Sequence, residues 1–341
     1  MKKNAFASLI LALAAAPAFS QNVKITPIGS HPGELCANDR AIIFEDPTGV
    51  RLLYDPAHNV TGGDDPRLGT IHAVLLSHMH GDHVGDLKLK APGAGTCANS
   101  GREPAPNSTT AEVVAAKNAA MVMTRAIGGF VGNKVKGIRG DTKEVPFCRQ
   151  NAQGMTSVPV ESICASQTDL GGVFIAKAPD ATKGVEITIV YASHVNNVPP
   201  ALLSPAQREL LAANGAILEY GPPTGFVVKF TNGLTAYLTG DTGVHTEMKT
   251  VVHDYHKANL AVLNLGVNAG AYFSGAQAMN ELVRPASVII THPNEPVTEN
   301  GKMRPISRTA KLIERIKAPS HLAISERTME FDGSGKCVSG C

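Results

Sequence analysis

The sequence "LLSHMHGDHVGD" (75–86) places three histidines and two aspartates at the end of the apolar run "IHAVLLS" (71–77). An apolar run of this length is typical of a strand that is buried on both faces. Ionisable side chains at the end of such a strand are costly to desolvate unless a partner or a metal ion compensates them. This stretch therefore predicts a polar site beside the core of the fold.

The spacing of these polar residues favours a metal site. His78 and His80 are two residues apart, so their side chains project from the same side of an extended chain. Gly81 then allows a tight turn before Asp82 and His83. Neutral imidazole and carboxylate are suitable ligands for zinc, iron or manganese. We therefore expect the four donors to converge on a metal ion.

Three further strand ends offer additional ligands. The run "TIVYASH" ends in His194, "AYLTGDTG" presents Asp241 after a glycine, and "SVIITH" ends in His292. Strand ends at one edge of a sheet bring residues from distant parts of the chain together. The repeated pattern of an apolar run followed by a ligand-type residue predicts one shared site.

The series H-x-H-x-D-H, a later His, a G-D-T aspartate and a final His resembles the metal ligands of the metallo-β-lactamase superfamily. "YLTGDTGVHTEMK" and "AQAMNELVRPASVIITH" look most like the branch that holds ascorbate-6-phosphate lactonase. The resemblance covers residues 23–90 and 173–331. It implies an α/β fold, a four-layer αβ/βα sandwich with a site between the two sheets, and it leaves an inserted subdomain unexplained.

The resemblance also implies two divalent metal ions, for which zinc is favoured and manganese or iron is an alternative. One metal would be held by His78, His80 and His194, the second by Asp82, His83 and His292, with Asp241 bridging the two. Such a pair, about 3.5–4 Å apart, shares a hydroxide and polarises the group under attack. Asp241 and Asp82 are the expected catalytic carboxylates, and Asp82 would orient the nucleophile if its metal were lost.

The implied activity is hydrolysis of an ester-like bond, a lactone or phosphoester, in a small molecule. Two features depart from the family: His31 is displaced in "GSHPGELC", and Asp241 stands where true metallo-β-lactamases typically have Cys or Ser. The second departure argues against antibiotic hydrolysis as the native role. The alternatives are a phosphodiesterase or β-lactam hydrolase of the same superfamily, an iron redox enzyme, or a non-catalytic metal-binding protein.

The first twenty of the 341 residues differ from the rest. A basic start, an apolar run and small residues before Gln21 predict a signal peptide (1–20), an exported domain (21–341) and a periplasmic or secreted location. Removing Lys2 and Lys3 from the 31 basic residues leaves as many basic as acidic residues, 29 of each. This balance gives no basic footprint for nucleic acid. We expect a small-molecule substrate, no nucleic-acid partner and no membrane attachment after cleavage, and the oligomeric state stays open.

The stretch 91–170 breaks the alternation of short strands and predicts an insertion or cap. It opens with a Gly-, Pro- and Ser-rich segment and continues with "TTAEVVAAKNAAMVMTRAI" (109–127), which predicts a helix. Three of the six cysteines fall here. An even number of cysteines in an exported chain favours disulfides, and 15 pairings remain open.

Several other residues are weaker candidates. Asp55 ends the strand "VRLLY" and is a candidate hydrogen-bond partner of a ligand histidine, although a turn role is equally compatible. His58 is a candidate substrate contact or proton donor, against the more common solvated loop histidine. Asn196, Asn268 and Tyr272 follow predicted strands and are candidate pocket residues. Ser77 and Thr242 adjoin ligands but have no paired base at a recognisable spacing.

Overall fold

The computed structural model describes residues 22–265 and 271–341, and only the backbone of residues 271–273. Two mixed β-sheets packed face to face form its centre. The predicted signal peptide, Asn268 and the side chain of Tyr272 lie outside what the structure describes. None of the described helices is long and apolar enough to cross a membrane.

The first sheet has seven strands within the described residues. In spatial order they are Cys337–Ser339 (β21), Met329–Phe331 (β20), Val23–Ile28 (β1), Ala41–Glu45 (β2), Arg51–Tyr54 (β3), Ala73–Leu75 (β4) and Ala120–Val122 (β9). Neighbours from β21 to β3 are antiparallel, whereas β3, β4 and β9 are parallel. The carboxyl ends of these three strands therefore share one edge.

The second sheet has eight strands in the same part of the chain. In spatial order they are Met155–Ser157 (β10), Val173–Lys177 (β11), Val185–Tyr191 (β12), Thr224–Lys229 (β13), Thr235–Leu238 (β14), Leu260–Asn264 (β15), Ser287–Thr291 (β16) and Ser320–Leu322 (β19). β13 is antiparallel to both β12 and β14, and β14, β15 and β16 are parallel. Thus β12, β14, β15 and β16 all end at the same edge.

Three small two-stranded ribbons complete the β-structure. They pair Leu87–Leu89 (β5) with Arg102–Pro104 (β8), Gly95–Thr96 (β6) with Asn99–Ser100 (β7), and Thr298–Glu299 (β17) with Lys302–Met303 (β18).

The inner faces of the two sheets form the main core. Phe44 of β2 packs against Phe230 with ring centroids 6.0 Å apart, and Tyr54 of β3 meets Phe226 of β13 at 6.1 Å. Burial of such aromatic side chains, together with the branched residues of both sheets, supplies the main stabilisation of a layered fold.

The helical segments lie outside the two sheets. They are Gly81–Val84 (α1), Thr109–Lys117 (α2), Arg125–Arg139 (α3), Pro205–Ala213 (α4), Ala271–Gln277 (α5) and Arg308–Ile313 (α6), with π-helical segments Met248–Tyr255 and Ala278–Val283 and 3₁₀ turns Ala57–Asn59 and Pro200–Leu202. α2 and α3 pack on the outer face of the first sheet, and the π-helical segments and α6 on that of the second. This order of layers confirms the predicted αβ/βα sandwich.

The single helix predicted over 109–127 is wrong. Asn118 has a left-handed backbone (φ 50°) and ends α2, after which β9 pairs in parallel with β4 and α3 begins at Arg125. The apolar run in this segment is compatible with either a helix or a strand. Pairing with the core strand β4 makes it a strand.

The stretch 91–170, expected to be an insertion or cap, contributes to both large sheets and to the outer helical layer. It supplies β9 to the first sheet and β10 to the second, and α2 and α3 to the outer layer. Within residues 91–170, the strands β6, β7 and β8 belong to the two-stranded ribbons and not to the two large sheets. We call residues 91–107, which carry these three strands, the ribbon region.

The cysteines form three pairs: Cys36 with Cys97, Cys148 with Cys164, and Cys337 with Cys341. The first pair ties the ribbon region to the connection between β1 and β2. The structure thus selects one of the 15 pairings that the sequence left open.

Candidate metal centre

The predicted ligands lie at one edge of the sandwich, where strands of both sheets end. β4 leads into the histidine-rich stretch, β12 leads to His194, β14 to Asp241 and β16 to His292. Because these strands point the same way within their sheets, residues far apart in sequence meet here. The structure brings all seven predicted ligands into overlapping groups at this edge.

Three imidazoles form the first half-site: His78, His80 and His194. Their ligand atoms lie within 4.8 Å of one another. His80 Nδ1 is 3.2 Å from His194 Nε2, and His80 Nε2 is 2.8 Å from the Oδ1 of Asn197. The Asn197 amide therefore fixes the His80 ring so that Nδ1 faces the other two histidines.

The second half-site consists of Asp82, His83 and His292, again within 4.8 Å of one another. His292 Nε2 is 3.5 Å from Asp82 Oδ2. His83 Nδ1 is 2.7 Å from Asp55 Oδ2, and both side chains are fully buried. A histidine whose Nδ1–H donates to a carboxylate presents its unprotonated Nε2 to a metal. Asp55 therefore has the orienting contact proposed for it.

Asp241 lies where the two half-sites meet. Its Oδ2 is 3.3 Å from the Nε2 atoms of both His83 and His292, and it also groups with His78. Its Oδ1 accepts a hydrogen bond of 3.1 Å from the side-chain amide of Asn264, the last residue of β15. This contact leaves Oδ2 turned towards the histidines, in a position suited to the predicted bridging role.

The backbone around the site is locally strained. Asp55 and His292 have positive φ angles of 40° and 53°, which non-glycine residues adopt at a cost of about 1–3 kcal/mol. At Gly240 (φ 59°) a Cβ would collide with the carbonyl oxygen of Thr224. Strain of this kind is concentrated at sites where side-chain position matters more than stability.

The ring nitrogens themselves test whether a metal fits. In the described part of the chain, Nε2 of His78, Nε2 of His83 and both ring nitrogens of His292 are buried without a hydrogen-bond partner. Buried unpaired polar atoms are costly. Imidazole nitrogens and carboxylates that converge at these distances suit divalent ions such as zinc, so the residues present fit the metals that the sequence predicts.

Comparisons with known proteins agree with this geometry. No family model matches the chain. A protein of Polynucleobacter asymbioticus described as a UPF0173 metal-dependent hydrolase is 26% identical over 314 residues, which cover 88% of this chain and 89% of the relative. A Cupriavidus metallidurans protein with the same description is 24% identical over 278 residues, 77% of this chain and 75% of the relative.

One solved structure has a similar fold. Igni18, described as a novel metallo hydrolase from the hyperthermophilic archaeon Ignicoccus hospitalis, superposes with a TM-score of 0.55 at 19% identity, over 91% of this chain and 99% of that one. The chain is a metal-dependent hydrolase with the metallo-β-lactamase fold.

In the second half-site of this hydrolase, the charges of His83 and Asp241 depend strongly on each other. Burial opposes the charged form of His83, but the carboxylates of Asp241 and Asp55 outweigh both burial and the Arg40 charge and raise its pKa to about 9. Burial likewise opposes ionisation of Asp241, yet His292 and His83 hold its pKa well below the usual range. In the metal-free hydrolase the two residues are thus an ion pair.

In the first half-site, by contrast, two of the histidines have lowered pKa values. Burial lowers the pKa of His78 well below its usual value, and the neighbouring His83 adds to the effect. Burial also lowers the pKa of His194. Both rings are therefore neutral near pH 7 and need lose no proton to act as ligands.

Arg40 is a residue of the site that the sequence analysis missed. Its side chain is fully buried, and its Nη1 is 2.7 Å from Asp82 Oδ2 while Nε and Nη2 donate to the carbonyl oxygen of Asn38. Burial raises the pKa of Asp82, but Arg40 and His292 outweigh it and hold this pKa well below its ordinary range. The sequence signal, an arginine directly before an apolar strand, is weak.

The weaker candidates have definite positions. His58 is buried rather than solvated, and its Nε2 is 2.7 Å from Asp86 Oδ1. Asn196 is a structural residue: its Oδ1 accepts from the backbone N–H of Met79, and its amide donates to two backbone carbonyls. Asn264 and Asn197, which contact ligands, were missed because single polar residues after a strand are common.

Proposed function

We propose that the protein is a dinuclear, zinc-dependent hydrolase of an ester-like bond, a lactone or phosphoester, in a small molecule. The observation that carries this proposal is the junction at Asp241, whose Oδ2 lies 3.3 Å from histidines of the second half-site and which also groups with His78 of the first. A carboxylate shared by two sets of ligands is suited to two cations. The lactone is favoured over other esters by the resemblance to the lactonase branch.

The two metals, when bound, would supply an activated water and polarise the bond to be cleaved. The chain's own residues prepare the place for this chemistry. Asp55 holds the proton of His83 at Nδ1, and Asn264 fixes Oδ1 of Asp241, so that the inward atoms of both residues keep their direction.

Asp82 is suited to orient a water molecule through a hydrogen bond rather than to donate a proton. It is the most exposed carboxylate of the cluster, with 35% of its side chain accessible, and Arg40 keeps it ionised. It can therefore accept a hydrogen bond from a water molecule entering the site. A group with so low a pKa does not protonate a leaving group near pH 7.

Export is part of the same proposal. The basic and apolar start of the sequence supports a signal peptide, and three cysteine pairs favour an oxidising compartment such as the periplasm or the medium. A small-molecule substrate is supported by the balanced net charge of the exported domain, whose sequence has no basic footprint for nucleic acid.

The proposal is tested by hydrolysis of a chromogenic panel with zinc-loaded protein. The panel holds a lactone, a phosphodiester, a phosphomonoester and a cephalosporin, each with and without chelator, beside Asp241→Asn. Turnover of the lactone or a phosphoester that is lost with chelator and in the variant is the expected result. Turnover that survives both treatments, or no turnover in the panel by protein that holds two zinc ions, contradicts it.

A further inference from the structure

The last ligand of the second half-site, His292, has a backbone conformation that needs support. It follows β16 directly and adopts a left-handed φ of 53°. A residue with a Cβ rarely adopts this conformation unless its surroundings enforce it. The conformation matters because it directs the His292 ring towards Asp82 and Asp241. Contacts from other segments of the chain must therefore hold His292 in place.

The segment between β1 and β2 supplies these contacts. The His292 N–H donates to the carbonyl oxygen of Asp39 at 2.7 Å, and the Asn38 N–H donates to the carbonyl oxygen of Pro293 at 2.7 Å. The Thr291 hydroxyl donates to the same Asp39 oxygen at 3.1 Å. These hydrogen bonds join residues 38–39 to residues 291–293 on both sides of the ligand.

The carboxylate of Asp39 fixes this segment in turn. The residue is buried, and its Oδ1 accepts from the Ser30 N–H and from the Asn59 side-chain amide, each at 2.8 Å. Its Oδ2 accepts from the Cys36 N–H at 3.0 Å and so closes a turn between residues 36 and 39. Hydrogen bonds to an ionised acceptor are among the stronger ones in proteins. The Asp39 side chain therefore determines where its own carbonyl oxygen lies, and with it His292.

We infer that Asp39 is a positioning residue of the second half-site, whose buried carboxylate fixes the carbonyl oxygen that holds His292 and thereby sets the affinity for the second metal. Asp39 is not one of the seven predicted ligands and acts through the backbone of one of them. The inference rests on the dinuclear site of the proposed function and extends it to the residue that controls one of the two metals.

The test measures both zinc affinities of Asp39→Asn by competition with a fluorescent chelator. Asparagine places an N–H group where one carboxylate oxygen accepted a hydrogen bond, so the turn should open. We expect the zinc of the second half-site to bind about 10- to 100-fold more weakly and the other zinc to keep its affinity. The matched control is Asp46→Asn, a buried aspartate at the other end of β2 that bonds to Thr231 and should keep both affinities. Unchanged affinities in Asp39→Asn, or equal losses in both variants, overturn the inference.

The sign of the change and a neutral variant identify His292 as the route. Loosening of the Arg40–Asp82 ion pair alone would free Asp82 and tighten the zinc, whereas loss of His292 weakens it. Thr291→Val removes one hydrogen bond to the Asp39 carbonyl oxygen and changes no charge, and it should weaken the same zinc about 2- to 10-fold. An unchanged affinity in Thr291→Val beside a weaker one in Asp39→Asn would assign the effect to the lost charge and overturn the inference.

A measurement on the metal-free protein separates this inference from the proposed function. Hydrogen exchange, followed by NMR in the presence of chelator, compares the amide of His292 with that of Thr224, which donates to the Ser77 carbonyl oxygen beside the first half-site. In Asp39→Asn the His292 amide should exchange at least about tenfold faster and the Thr224 amide at its wild-type rate. Wild-type exchange at His292 in this variant overturns the inference, whether or not the protein hydrolyses an ester.

Discussion

The two half-sites use the same kinds of ligand but hold them in different electrostatic surroundings. His78 and His194 of the first are kept neutral by burial. The second half-site is a network of charges. Asp82 forms an ion pair with Arg40, and protonated His83 lies beside Asp241. A metal entering the first meets ligands in their binding form, whereas a metal entering the second must displace a proton and compete with a guanidinium. Two sets of three ligands therefore differ in their affinity for a metal ion.

The largest effect is expected at the residue that the half-sites share. Asp241→Asn should weaken the binding of both metal ions and lower the rate of hydrolysis by more than about 100-fold. It removes the negative charge that faces both sets of histidines. Elemental analysis and rate measurements check this. The matched control is Asp46→Asn, a buried aspartate bonded to Thr48 and Thr231, which should keep its metals. Full metal content in Asp241→Asn would contradict the bridging role of Asp241.

Asp55→Asn should act mainly on the second half-site, since Asp55 reaches the first only through Ser77, whose Oγ is 3.0 Å from His78 Nδ1. Because Asp55 accepts a hydrogen bond from His83 Nδ1–H, its replacement allows the wrong tautomer, and the more weakly bound metal should lose about 10- to 100-fold in affinity. Competition with a fluorescent chelator measures both affinities. An equal loss at the tightly bound metal would show that the half-sites are not independent in this respect.

The stability of the metal-free protein should depend on His83. The folded pKa of about 9 lies above the ordinary 6.5, so the charged form stabilises the fold fully below pH 6.5, and this contribution is lost as the pH rises through 9. The Tm of the chelated protein should therefore fall between pH 6.5 and 9. His83→Gln should flatten this dependence; a slope of the same size in the variant would assign it to another group.

Removing Arg40 should strengthen the binding of the metal ion in the second half-site. Arg40→Gln keeps a side-chain donor near Asn38 but frees Asp82 from its positive partner, and we expect the looser metal to bind about tenfold tighter. The same chelator competition reads this change. Weaker binding of the looser metal in Arg40→Gln would mean that Arg40 positions Asp82 as a ligand and does not compete for it.

The smallest effect is expected in the first half-site. Asn197→Ala removes the acceptor that orients His80, yet His78 and His194 remain, so the tight metal should weaken by no more than about tenfold. An unchanged Tm of the chelated Asn197→Ala protein would show that the variant is folded. Loss of the tight metal altogether would make the Asn197 contact essential to the ligand set.

The sequence predicted the seven residues that converge at this edge because apolar runs precede His78, His194, Asp241 and His292 and form strands that end there. The same reasoning could not find Arg40 or Asn264, since a single polar residue beside a strand has no distinguishing spacing. It also misread 109–127, where the strand β9 exists because Ala120 pairs with Ala73 of β4 and not because of local propensity. Contacts between distant segments decided every one of these cases.

The most direct measurement is zinc titration of chelator-stripped wild-type protein by calorimetry, repeated with His80→Ala and Asp82→Ala. The account predicts two zinc ions per chain, of which the tighter is lost in His80→Ala and the looser in Asp82→Ala. A single binding event in wild type, or loss of the tighter ion in Asp82→Ala, would contradict the division into a neutral first and a charged second half-site.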